Sequence, residues 1–214
     1  MFESNHWLAD RLILWIPLLL SLTVHEWAHA LAAKLLGDDT AERLGRLTLN
    51  PLEHIDPIGT LILPLLGVPF GWAKPVPIQP LRFRRDVSLR TGVLLVAAAG
   101  PASNLCLALA LAGVVGVSSR LFHASNGPLL ELLERVTVIN VLLACFNLLP
   151  IPPLDGGRVV DSLMPERFRP AWDWLGARSL YVLAAVLILP GFFGFSLLAW
   201  PYAWAQQLLA LVRG

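Results

Sequence analysis

The run LILWIPLLLSLTVHEWAHALAAKLL, residues 12 to 36, decides how this chain reads. Its length and near-continuous apolar character predict a membrane helix, because about 20 apolar residues cross a bilayer. Gly37 marks its end, and Arg11 and Lys34 flank it where long side chains snorkel to an interface. Between Leu12 and Ala33 the only ionisable side chains are His25, Glu26 and His29. Three such groups in a membrane helix cost several kcal/mol unless they are paired, hydrated or bound to metal. They form an HExxH motif. Four residues apart on a helix, the two imidazoles lie one above the other and can share a zinc ion. Glu26, about 100° round the helix, sits beside the metal position and can take a proton from water. A polar cluster joining helices without metal is the plainer alternative.

The rest of the chain extends this membrane reading. Of 214 residues, 56% are hydrophobic and 14% charged, against about 25% charged in soluble chains. Mean hydropathy is +0.66. Further apolar runs cover Val93–Val117, Val136–Leu149 and Tyr181–Trp200. They predict helices over about Thr91–Ser119 and Leu129–Leu149, with a loop at Ser118–Gly127 and a proline-rich loop at Pro150–Arg178. The last block, Ser179–Val212, is interrupted at Pro190-Gly191 and Pro201. Pro57 to Pro80 is apolar but dense in proline and glycine, which argues for a re-entrant segment or β-hairpin and not a straight span. The expected fold is an all-α polytopic membrane protein, one membrane-embedded domain over residues 1–214, with about four to six membrane segments.

Charge placement favours the re-entrant layout. If residues 57–72 span the membrane, ten Lys and Arg lie on one side and five on the other. If the segment re-enters, Lys34 to Arg90 and Arg158 to Arg178 contribute twelve on one side, against Arg11, Arg120 and Arg135. The positive-inside rule selects the second layout and puts the proline-rich segments on the cytoplasmic side. The net charge of +1 says nothing about partners, and no basic run has the length or aromatic interleaving that would suggest nucleic acid, so none is expected and the lipid bilayer is the expected surroundings. Cys106 and Cys145 lie in apolar segments without CxxC spacing and read as small buried thiols.

A catalytic zinc site commonly has three protein ligands and an open position. The segment NLLPIPPLDGG at 147–157 offers Asp155 after a helix end, with glycines allowing tight turns. Asp56, Asp161 and His54 are rivals, and an aspartate capping the next helix is the plainer reading of Asp155. Asn104 needs an amide partner within its apolar helix, and helix packing competes with a catalytic role. His54 lies near a turn, where a structural loop histidine competes with a place near the metal. Trp72, Trp174, Trp200 and Trp204 read as interfacial anchors.

HEWAH at 25–29, AGPASN at 99–104 and NLLPIPPLDGG at 147–157 together resemble the signature set of site-2 proteases. The resemblance covers nearly the whole chain. LNPLEHIDPIGT at 49–60 and GWAKPVPI at 71–78 resemble the compact bacterial and archaeal branch, and no room exists between the helices for a PDZ domain. The family cuts substrate helices within the membrane. The resemblance implies one Zn2+ per chain held by His25, His29 and Asp155, with Glu26 as general base. Asn147 matches an asparagine of substrate binding or transition-state support; Asn104 and His54 are weaker candidates for that support. It also implies a transmembrane protein substrate and a prokaryotic cell (inner) membrane with the active site toward the cytoplasm. The segment Gly59–Pro77 is then a candidate edge for an unwound substrate, by β-augmentation. Rival classes are a non-catalytic zinc-binding scaffold, against which Glu26 speaks, and a metal transporter, which would show repeated halves.

Overall fold

The computed structural model describes residues 6–62, 71–122, 127–192 and 196–214. Among them every regular element is helical. The helices are α1 (His6–Leu35), α2 (Thr40–Arg43), α3 (Leu89–Phe122), α4 (Pro128–Asn147), α5 (Asp155–Leu163), α6 (Arg169–Gly176), α7 (Ser179–Phe192) and α8 (Ala199–Arg213). Short 3-10 turns occupy Pro51–His54, Pro80–Arg82 and Glu166–Phe168, and Pro57–Ile62 is a π-helical turn.

Helix α3 is the centre. It packs against α1, α4, α5 and α8, and α4 in turn packs on α1 and α8. Small residues make this possible. Ala108, Val141 and Ala205 form one buried cluster, and Ala112, Val115, Leu130 and Leu209 another. In helix bundles surrounded by apolar solvent, such residues let backbones approach and gain dispersion contacts. One close approach is at Gly116, where a Cβ would lie 2.7 Å from the Val212 carbonyl oxygen. Leu95, Leu109, Val114, Val117 and Leu121 stay exposed on α3. Its stretch Leu89–Leu121 is long and apolar enough to cross a membrane, at a hydropathy of 1.9 with only 33% of the window buried. A span needs no water-facing side, so a helix apolar all round fits this pattern. Among the described residues, the bent pair Glu166–Gly176 and Ser179–Leu189 passes the same test when taken together.

Helix α1 ends as the sequence predicts. Gly37 takes φ 106°, its amide bonds the Lys34 carbonyl at 2.9 Å, and the Asp38 amide bonds Ala33 at 2.9 Å. This Schellman arrangement satisfies the last carbonyls and needs the left-handed residue that glycine supplies. Asp38, 1% exposed, then accepts from the Thr40 amide at 3.0 Å and the Gln79 amide at 2.6 Å. The exit of α1 is thereby fastened to the chain segment that leads into α3.

Several expectations change. Helix α3 extends to Phe122, so the loop expected at 118–127 is shorter. The proline-rich stretch 150–178 holds two helices, α5 and α6, because its prolines fall before or at the helix starts, where a missing amide costs nothing. Pro190 and Gly191 do not interrupt α7, which runs to Phe192, and Pro201 lies in the first turn of α8. Cys106 is exposed on α3, not buried. Of the segment expected to re-enter or form a hairpin, residues 63–70 lie outside the described residues. Its described flanks are the π-helical turn and an irregular run at 71–79 without a strand ladder.

Gly116→Leu should lower the unfolding midpoint in detergent, with overpacking against α8 costing about 1–3 kcal/mol. Gly113→Leu, where a Cβ meets nothing within 4 Å, should leave it unchanged.

Candidate metal centre

Two helices bring three ligand-type side chains to one point. α1 supplies His25 and His29, and Asp155 opens α5. Asp155 Oδ2 lies 3.0 Å from His25 Nε2 and 3.2 Å from His29 Nε2, and the two Nε2 atoms are 3.0 Å apart. Exposure is 4% for His25, 3% for His29 and 6% for Asp155. α3 forms the wall: a Cβ on Gly100 would lie 2.4 Å from His29 Nε2 and 2.6 Å from His25 Nε2. Only a residue without a side chain lets α3 pass so near the imidazoles.

Asp155 is placed by the turn that precedes it. Leu154 is the N-cap residue, so the carboxylate sits in the first turn of α5, where the helix dipole favours a negative charge. The two glycines that follow press this turn onto the returning chain. A Cβ on Gly156 would meet the Leu148 carbonyl oxygen at 2.3 Å, and one on Gly157 the Pro152 nitrogen at 2.7 Å.

The donor set fits a divalent cation. His29 Nδ1 lies 2.7 Å from the Val96 carbonyl, which can only accept, so Nδ1 carries the hydrogen. His25 Nδ1 faces Asn104 Oδ1 at 2.6 Å and donates likewise. Both Nε2 atoms of the neutral rings are then bare lone pairs aimed at each other and at a carboxylate. Something positive must sit where they converge, and two imidazoles with one carboxylate suit zinc.

Glu26 stands beside the cluster on α1, half-buried. Its Oε2 accepts from the Val76 amide at 2.9 Å, and among the described residues Oε1 has no hydrogen-bond partner. Val76 lies between Pro75 and Pro77 in the irregular run, which is itself held in place. The Lys74 amide donates to the His54 carbonyl at 2.9 Å, and Arg46 donates to the Lys74 carbonyl at 2.6 Å.

Residues 111–189 match the family described as Peptidase family M50. The chain is 38% identical over 181 residues to "Putative zinc metalloprotease YwhC" of Bacillus subtilis, covering 82% of this chain and 80% of that one. It is 35% identical over 176 residues to "Putative zinc metalloprotease Rip2" of Mycolicibacterium smegmatis, covering 80% and 65%. The chain belongs to peptidase family M50. It is a zinc metalloprotease of the site-2 protease family, which is membrane-embedded. A more distant relative is "Zinc metalloprotease MJ0392" of Methanocaldococcus jannaschii, at 27% identity over 73% of this chain and 35% of that one. No solved structure matches the chain.

The remaining sequence candidates of this M50 protease do not reach the point where the three ligand atoms converge. Asn147 ends α4, and its amide donates back to the Leu143 carbonyl at 3.0 Å. Asn104 is wholly buried behind His25, on the side away from the convergence point. His54 is wholly buried, with Nε2 bonded to the Thr48 carbonyl at 2.9 Å, as a structural loop histidine. Of the rival third ligands, Asp56 accepts from the Ile58 and Gly59 amides, and Asp161 pairs with Arg169. The sequence reading missed Gly100, Val76 and Asn140. Gly100 lies within the quoted AGPASN stretch, and Asn140 is an amide in an otherwise apolar run, a signal in its own right. Val76 acts through its backbone amide, which no residue pattern reveals.

Gly100→Ala should weaken zinc binding by at least about tenfold in chelator competition, because the added methyl displaces an imidazole that the metal needs.

Proposed function

We propose that this zinc metalloprotease hydrolyses a peptide bond within or beside a transmembrane helix of a membrane-protein substrate, in regulated intramembrane proteolysis. His25, His29 and Asp155 hold one zinc ion, and Glu26 is the general base. The observation that carries the reading is the convergence of three buried ligand atoms from α1 and α5 beside Oε1 of Glu26, in a bundle whose central helix is apolar all round. A bound zinc ion supplies Lewis acidity that polarises a peptide carbonyl and lets a water lose its proton near neutral pH. Glu26 Oε1 takes that proton and returns it to the nitrogen of the leaving amine. The Val76 amide keeps Oε2 engaged, which fixes the orientation of the carboxylate beside the metal position. Asn147, close to the turn that carries Asp155, supports substrate or transition state once its amide leaves the Leu143 carbonyl.

Residues 1–214 act as one membrane-embedded unit with about four to six segments in a prokaryotic cell membrane. The charge distribution supports a site facing the cytoplasm. Exposure of Trp72, Trp174, Trp200 and Trp204 supports their role as interfacial anchors. Within the segment expected to re-enter, the described irregular run at 71–79 lies beside Glu26 and offers backbone carbonyls to an unwound substrate.

The test pairs metal content with cleavage of a reporter transmembrane substrate in liposomes. Wild type and Glu26→Gln should each hold about one zinc per chain, while the variant loses at least about 100-fold in cleavage. Full cleavage by the variant would remove Glu26 from the mechanism, and a zinc-free wild type would remove the metal site. Val76→Pro, which deletes one amide hydrogen between two existing prolines, should lower cleavage about tenfold with zinc content unchanged, the size of one hydrogen bond to a charged group.

A further inference from the structure

His25 is held from behind by a relay that crosses three helices. Its Nδ1 faces Asn104 Oδ1 of α3 at 2.6 Å. The Asn104 amide nitrogen lies 3.2 Å from the Ser21 carbonyl and 2.8 Å from Asn140 Oδ1 of α4. The Asn140 amide nitrogen lies 2.9 Å from Ser21 Oγ and 2.8 Å from the Val136 carbonyl. Ser21, Asn104 and Asn140 are each 0% exposed, so no water competes for these bonds.

The polarity of the relay is set at its far end. A backbone carbonyl only accepts, so Val136 demands the nitrogen end of the Asn140 amide. Asn140 Oδ1 is thereby turned toward α3 and demands a donor from Asn104. The Ser21 carbonyl demands the same. Asn104 must then present its oxygen to His25, and His25 must answer with a hydrogen on Nδ1. Turning either amide over would set oxygen against oxygen in a dry interior, at a cost of about 1–3 kcal/mol for each stranded group. With Nδ1 protonated, Nε2 is left as the lone pair aimed at the metal position. His29 reaches the same state with one bond to the Val96 carbonyl and needs no relay.

We propose that Asn140 is a positioning residue for the metal centre, acting through Asn104 to fix the tautomer and ring orientation of His25. This deepens the zinc-site reading above and rests on it. The two amides act in series, so Asn140 matters to the metal only while Asn104 is present.

The experiment measures zinc affinity by chelator competition and the visible spectrum of the cobalt-substituted protein. It uses the full chain in detergent as wild type, Asn104→Leu, Asn140→Leu, the double variant and Asn140→Asp. Both single leucine variants should lose about tenfold to 100-fold in zinc affinity, the range for groups that orient a ligand. The double variant should be no weaker than Asn104→Leu alone, because removing the second link of a broken series changes nothing further. The cobalt bands of Asn140→Leu should shift, which a residue serving only helix packing would not cause. Asn140→Asp keeps an oxygen toward Asn104 and, as the neutral acid, a hydroxyl for Val136, and it should stay within about threefold of wild type. If Asn140→Leu does not fold, Asn140→Asp decides, and a tenfold loss there overturns the proposal. Wild-type affinity and cobalt bands in Asn140→Leu, or losses that multiply in the double variant, overturn it too. A wild type that binds no zinc overturns the metal centre itself, so the two failures are distinguishable.

Discussion

Two imidazoles can serve a metal from inside an apolar bundle only if each ring finds an acceptor for its other nitrogen, and much of this structure follows from that requirement. The acceptors must come from neighbouring helices, since the helix carrying the histidines has spent its own carbonyls. Helix α3 meets both needs: the Val96 carbonyl for His29 and the Asn104 amide oxygen for His25. To do so it must run against α1 at a distance that only a glycine permits, which is why Gly100 lies at the level of the rings. A central helix committed on that side can then spare its remaining surface for α4, α5 and α8.

The carboxylate ligand obeys a different constraint. Asp155 cannot come from a long helix without leaving its charge among apolar side chains. It comes instead from the first turn of a short helix, where the helix dipole favours a negative charge. The glycines behind it let this helix start fold flat onto the turn that follows α4. The site therefore joins a rigid element, α1, to a turn whose shape is dictated by prolines and glycines. The two parts differ in how they tolerate change. A substitution in α1 or α3 meets packed helix, and one in 148–157 meets backbone.

Much of the site was legible in the sequence because its chemistry resides in side chains with few alternative uses. His25, Glu26 and His29 stood out as charges in an apolar run, and Asp155 stood out through its glycines and the signature motif around it. The main helices were legible for the same reason, through run length. The helices inside 150–178 were not, because short amphipathic elements among prolines look like loop. Backbone groups were also invisible: the Val96 carbonyl, the Val76 amide and the Val136 carbonyl carry no residue-type signal. Asn104 was singled out as an amide in need of a partner but not for the partner it meets, since a helix sequence gives a position on the helix but not which neighbour lies there. Asn140 was overlooked although an asparagine within an apolar helix raises the same question of where its amide finds partners.

The run from Lys74 to Pro77 has one further consequence. Its two prolines have no amide hydrogen, and the amides of Lys74 and Val76 are already given to His54 and Glu26. No backbone donor along these four residues is available to an outside chain. A stray extended polypeptide therefore cannot zip onto this stretch as it would onto an ordinary sheet edge, which protects the protein from self-association at the very place where irregular backbone lies beside the metal centre. Any chain that does lie along it must bring the hydrogens itself, so the stretch has a built-in directionality that a fully furnished strand would lack.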